Sequence, residues 1–178
     1  MNLPLDFHLL TPRCRLRLPN ETDIPHVFSA TRYTGFDDGM LWEPPSSKEE
    51  LWEPLKRSLR AWSAGEAFTF TIEKEADHEF FGRISIRPTN DPEVWNIGFW
   101  THPKHQRQGL MTEAARAVID FGFGTLGAKA VEARHATWNT PSRKTLECVG
   151  MKEVGYIARG FQKHGVWVDE YLMRVGRP

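Results

Sequence analysis

The sequence has little cysteine, only Cys14 and Cys148. Two such distant residues cannot build a disulfide framework or a cysteine-based zinc site, so free thiols in a reducing cytoplasm are expected. No metal site is expected. No apolar run approaches the ~18 residues that cross a bilayer. The opening stretch, MNLPLDFHLLTPRCRL, has no cationic start followed by an apolar core, and no signal peptide is read. Internal repeats, low-complexity tracts and linkers are also lacking. Net charge is absent as well, since 23 Lys and Arg balance 23 Asp and Glu. A protein held to nucleic acid by phosphate contacts needs a basic excess, which excludes that class. Neither nucleic acid nor membrane is expected as a partner.

What is present is an ordinary globular composition. Of 178 residues, 40% are hydrophobic and 26% charged, which suits one domain over 1–178 with a sizeable core. The neutral charge hides a split. Residues 1–100 carry 16 acidic against 11 basic side chains, and residues 101–178 carry 12 basic against 7 acidic. Two ligand regions of opposite character are expected to meet in one fold.

The periodicity changes several times along the chain. CRLRL (14–18) alternates as a strand, and Asn20 to Asp23 offer caps for a helix over 22–32. TGFDDGMLWEPPSS is a loop by its Gly, Pro and Asp content. Ser46 or Ser47 can cap the next helix, with Glu49 or Glu50 completing a capping box and Gly65 ending it. Segments 67–75, 79–88 and 93–102 read as strands, the last with a bulge or close approach at Gly98. Met111, Ala114, Ala115 and Val118 recur at helical spacing within 108–124. A strand at 128–137, a helix at 139–150 and a closing hairpin follow. This order predicts an α/β (mixed α+β) fold. Its sheet should be mostly antiparallel, with about seven strands and about four flanking helices.

The most informative stretch is IGFWTHPKHQRQGLMTEAARAVIDF. A strand ends at Pro103, and the basic turn from Lys104 to Gly109 opens directly into a helix. Free N–H groups on the first helical turn, beside Lys104 and Arg107, make an anion site for a pyrophosphate or similar group.

Gln106-Arg107-Gln108-Gly109-Leu110-Met111 resembles the pyrophosphate loop of the GNAT superfamily of acyl-CoA-dependent N-acetyltransferases. Asn139-Thr-Pro-Ser142-Arg-Lys-Thr-Leu-Glu-Cys-Val-Gly150-Met resembles a second segment of that family. The closing GVWVDEYLM looks like the last strand of its RimJ/RimL, ribosomal-protein N-terminal acetyltransferase branch. The likeness runs from CRLRL to YLMRV and is strongest over 96–156. It implies acetyl-CoA as co-substrate and coenzyme A as product. The N–H groups of Arg107 to Thr112 would cradle the pyrophosphate. Backbone groups of Phe99, Trp100 and Thr101 would pair with the pantetheine arm and polarise the thioester. Asn139 would bond the pantetheine, and Ser142 would protonate the leaving thiolate. Helix capping alone also accounts for Asn139 and Ser142. A homodimer is compatible with the resemblance.

The sequence departs from the pattern in two places. Met111 fills a position usually small in the superfamily, and its side chain is expected in the core. Asn96 replaces the Glu that commonly precedes Ile-Gly and acts as general base through water. Proton removal then falls to another carboxylate (Glu93, Asp37, Asp38 or Glu43), to water, or to no dedicated base. His102 and His105 are expected at the surface, and Cys148 is rejected as nucleophile. The acidic loop, with Asp37, Asp38, Trp42 and Glu43, is expected to receive a cationic amine. The expected reaction is direct attack of a protein N-terminal α-amino group or a small amine on acetyl-CoA. The competing expectation, favoured by Asn96, is a non-catalytic acyl-CoA-binding domain.

Overall fold

The computed structural model describes residues 3–178. Met1 and Asn2, at the head of the stretch read for a signal peptide, lie outside the described residues. One eight-stranded sheet organises the chain, in the order β1-β2-β3-β4-β5-β6-β8-β7. The strands are β1 (His8–Leu10), β2 (Cys14–Arg17), β3 (Phe68–Lys74), β4 (Phe80–Pro88), β5 (Val94–Thr101), β6 (Ala130–Ala136), β7 (Lys152–Lys163) and β8 (Val166–Gly176). The helices are α1 (Ile24–Ala30), α2 (Trp52–Ala64), α3 (Leu110–Gly124) and α4 (Thr140–Cys148). Every pairing is antiparallel except β5 with β6. The short strand β1 has no counterpart in the sequence pattern. Three residues give too little alternation to register, and their structure comes from pairing with β2.

Local chemistry accounts for most boundaries. Asn20 accepts from the Thr22 N–H, and the Asp23 carboxylate accepts from the Asn20 N–H, closing a capping box before α1. Gly65 takes φ +70° to end α2, a conformation open to glycine without a Cβ penalty. Before α2 the capping differs from expectation. Neither Ser46 nor Ser47 occupies an N-cap; a 3₁₀ turn over Glu49–Leu51 leads into α2, and the caps fall on Lys48 for the turn and Leu51 for α2, neither with a side-chain bond. Instead Glu50 accepts from the Ser46 N–H at 3.0 Å. No bulge occurs at Gly98 either. It pairs in regular register with Ser85, and the irregularity in β4 lies across from Ile72 and Glu73.

The main core gathers β-strand residues Phe68, Phe70, Ile72, Ile84 and Ile86 beneath Val118 and Phe121 of α3, with Trp62 of α2 edge-on to Phe68 and Phe70. Met111 belongs to this core, as expected. A second cluster joins Ile24 and Val27 of α1 to Leu55 of α2 and Phe80 of β4. Among the described residues no helix is long and apolar enough to cross a membrane.

Candidate active site

The sheet is split at its one parallel pair. β5 and β6 are in register only from Val94 to Asn96 against Ala130 to Glu132. Beyond that, β5 follows β4 to Thr101 and β6 follows β8 to Ala136, so the two strands part. Their facing edges past Ile97 and Ala133 form no ladder with each other and open onto a cleft of about 1630 Å³. Ile86 and Val131 both abut Gly122 of α3. Strand alternation therefore sends Arg87, Asn96 and Glu132 to the opposite face. The cleft connects the two faces.

At the α3 face, the turn from Gln106 to Gly109 is exposed. Arg107 at φ +66° and Gly109 at φ +74° both take left-handed backbone. A Cβ on Gly109 would meet only an Arg13 nitrogen, at 3.7 Å, so space is open above the helix start. Arg13 also bonds Glu113 (2.7 Å) and the Gln108 carbonyl (3.2 Å), tying the β1–β2 turn to the first turn of α3. Leu110 and Met111 bury their side chains, so they can offer only backbone groups to the cleft. Exposed N–H groups, a helix's positive end and Lys104, Arg107 and Arg13 nearby suit a pyrophosphate. His102 is buried rather than at the surface, and His105 is half-buried. Burial pushes both imidazoles down, with Lys104 adding repulsion. The Lys104 N–H donates to His102 Nδ1 at 3.2 Å, so this ring closes the turn after β5.

Asn139 and Ser142 sit at the start of α4, on the cleft wall. Asn139 Oδ1 accepts from the Ser142 N–H at 3.2 Å, so capping is realised. That leaves Asn139 Nδ2 and Ser142 Oγ for other partners. Phe99, Trp100, Thr101, Gln106, Arg107, Gln108, Gly109, Met111 and Thr112 also reach this cleft. Leu110 does not line it; its side chain lies in the core. Cys148 is exposed on α4.

One lysine offsets part of the acidic loop's charge from inside. Lys163 of β7 is buried, lies 2.7 Å from Asp37 Oδ2 and 3.1 Å from Glu43 Oε1, and donates to the Trp42 carbonyl at 2.8 Å. Burial works against the Asp37 carboxylate, yet the Lys163 ammonium holds it below the usual range. Asp38 is exposed, and Trp42 lines the cleft. Gly39 meets Asn139 and Trp138 so closely that a Cβ there would lie 3.0 Å from Asn139 Nδ2. Glu93 is paired with Lys129, away from the cleft.

Three carboxylates that the sequence reading passed over do line the cleft: Asp91, which accepts from the Glu93 N–H in the turn before β5, Glu132 and Glu170. Glu132 accepts from Arg174 at 2.8 Å and stands beside Asn96 in the parallel pair. Glu170, on β8 opposite Ala136, is buried and forms no ion pair with a described residue. Burial pushes its carboxyl above the usual range, only partly offset by Arg134 and His135. Gly160 makes room for it; a Cβ there would lie 2.3 Å from Glu170 Oε2. The signal for Glu170 was an acidic residue on the strand face shared by Val168 and Leu172.

A family model for the GNAT acetyltransferase domain matches residues 13–152. The chain belongs to this family. It is an acetyltransferase. YnaD of Bacillus subtilis (strain 168), an uncharacterized N-acetyltransferase, is 24% identical over 168 residues, covering 94% of this chain and 96% of that one. Among solved structures, RimL, a ribosomal α-N-protein acetyltransferase in complex with coenzyme A, superposes with a TM-score of 0.85 at 17% identity, over 94% of this chain and 96% of that one. MccE, a self-immunity acetyltransferase in complex with acetyl-CoA and AMP, gives 0.83 at 17%, over 94% of each chain. RimJ of Mycobacterium smegmatis, in complex with a CoA-disulfide, gives 0.78 at 23%, over 92% and 81%. The fold expected from the sequence is the one observed, with eight strands instead of seven.

Proposed function

We propose that this protein transfers the acetyl group of acetyl-CoA to a primary amine by direct attack of the neutral nitrogen on the thioester. The observation that carries this is the parting of β5 and β6. An extended arm fits between them, with the α3 anion cradle at one end and Glu170 toward the other. In this assignment the N–H groups of Arg107 to Thr112 hold the pyrophosphate, and Asn139 Nδ2 bonds the pantetheine. Backbone groups of Phe99, Trp100 and Thr101 pair with the arm and polarise the carbonyl as charge builds on it.

Glu170 is the base in place of the missing Glu at position 96. Its raised pKa brings it closer to that of its proton donor, which favours transfer near neutral pH. Ser142 Oγ returns a proton to the departing thiolate. Trp42 bounds the acceptor, while Asp37 and Glu43 hold its loop through Lys163, and Asp38 stays at the rim. The acceptor is a small amine or a protein N-terminus. Neither membrane nor nucleic acid enters this reading, and a homodimer is compatible with it.

Thiol release from acetyl-CoA against a panel of amines tests the assignment. Turnover with at least one amine is expected, and Ser142→Ala should lower kcat about tenfold or more. Asn96 favours a non-catalytic acyl-CoA binder, and binding of acetyl-CoA without turnover on any amine would establish that reading instead.

A further inference from the structure

We infer that the acceptor amine carries an anionic group, a carboxylate or a phosphate, held by Arg87 and Arg134. The inference rests on the acetyltransferase reading and names the class of its substrate. Both arginines line the cleft on the face away from α3. Arg87 pairs with Asn96 across β4 and β5, and Asn96 pairs in turn with Glu132 of β6. Arg134 lies two residues beyond Glu132 on the same face. Two strand spacings, at about 4.8 Å each, set a lower bound of ~10 Å between the two arginine-bearing strands, because β6 leaves β5 beyond Glu132. The two long side chains therefore face one another across the opening of the cleft, where an anionic group can lie between them.

The floor between them is low and polar. It consists of Asn96, Gly98 and Ser85, and a Cβ on Gly98 would have only the Ser85 hydroxyl near it, at 3.8 Å. The other guanidiniums of this face are already engaged. Arg174 bonds Glu132 at 2.8 Å, and Arg83 lies 3.7 Å from Asp23. Arg87 and Arg134 are exposed and form no ion pair with any described residue. Asn96 is decisive for Arg87, because a Glu in that cross-strand position would supply its counter-charge. Asp91, in the turn after β4, accepts from the Glu93 N–H, and Glu170, whose carboxyl burial pushes up, feels the Arg134 charge without forming an ion pair with it. Asp37 and Glu43 of the acidic loop are engaged by Lys163 rather than by these arginines. A planar guanidinium pair that is open to solvent and set in a cleft recognises carboxylate or phosphate oxygens.

The test compares matched amines that differ in one charge: α-amino acids against their carboxamides, and phosphoethanolamine against ethanolamine. The first pair reads carboxylate and the second phosphate. The wild-type enzyme should favour the anionic member of at least one pair by about tenfold or more in kcat/KM, the size of a charged hydrogen-bond contribution. Arg87→Gln and Arg134→Gln should each collapse that ratio toward one, with the KM for acetyl-CoA unchanged. Preference for the uncharged members, or equal losses on both members in the variants, overturns the inference and leaves the acetyltransferase reading standing. Acetyl-CoA binding with no acetylation of any amine overturns that reading, and the inference falls with it.

Discussion

Asp37 on the loop after α1 and Lys163 at the end of β7 form a buried ion pair, 2.7 Å apart, that fastens one wall of the cleft to the sheet's edge strand. Both partners are largely hidden, with side-chain exposures of 12% and 4%. Removing one would leave the other charge desolvated and uncompensated. Lys163→Met should therefore destabilise the fold by about 3 kcal/mol. It should also raise the acceptor KM more than the acetyl-CoA KM. Thermal melts and two-substrate kinetics read the two effects separately.

Glu170 and Gly160 make a second pair open to test. A Cβ at residue 160 would meet the far end of a flexible side chain rather than backbone. Gly160→Ala should thus leave the fold intact but push the carboxylate aside. The expected result is a drop in kcat of about tenfold or more, with coenzyme A affinity retained by calorimetry. Glu170→Gln should do the same and remove an ascending limb from the pH profile. That limb lies above the ordinary carboxylate range, because burial raises this pKa.

The cofactor cradle is tested at Gly109. Its φ of +74° costs a residue with a Cβ about 1 kcal/mol. Gly109→Ala should raise the acetyl-CoA KM while leaving the relative preference among acceptors unaltered. Parallel loss of that preference would show that the turn shapes the acceptor side too.

Acid stability should depend on Asp23. Burial disfavours its charge, but bonds from Arg17, the Thr71 hydroxyl and the Asn20 N–H outweigh burial and hold the carboxyl below its usual range. A carboxyl depressed in the folded state stabilises above its unfolded pKa and loses that contribution as pH falls through the folded one. Stability should therefore decline below about pH 4. In Asp23→Asn that portion of the decline should be absent, on a baseline lowered by about 3 kcal/mol. Urea midpoints across pH measure both.

Much of this protein was written in local order. Gly65 past α2, the Asn20 cap, Pro141 at the start of α4 and the spacing of Met111, Ala114, Ala115 and Val118 are short-range chemistry, so the sequence by itself determined them. The same holds for the turn from Gln106 to Gly109, where strand end, basic residues and helix start are contiguous. The tertiary structure decided what depends on residues far apart in the chain. Only strand pairing shows that β5 and β6 part after Asn96, and only packing buries His102. The charge split was visible in the composition, yet its meaning changed once Lys163 was found between Asp37 and Glu43, separated from them by more than a hundred residues. Charge is additive along a sequence, but its effect on a ligand depends on which opposite charge lies within a few ångströms. That distance is set by the fold.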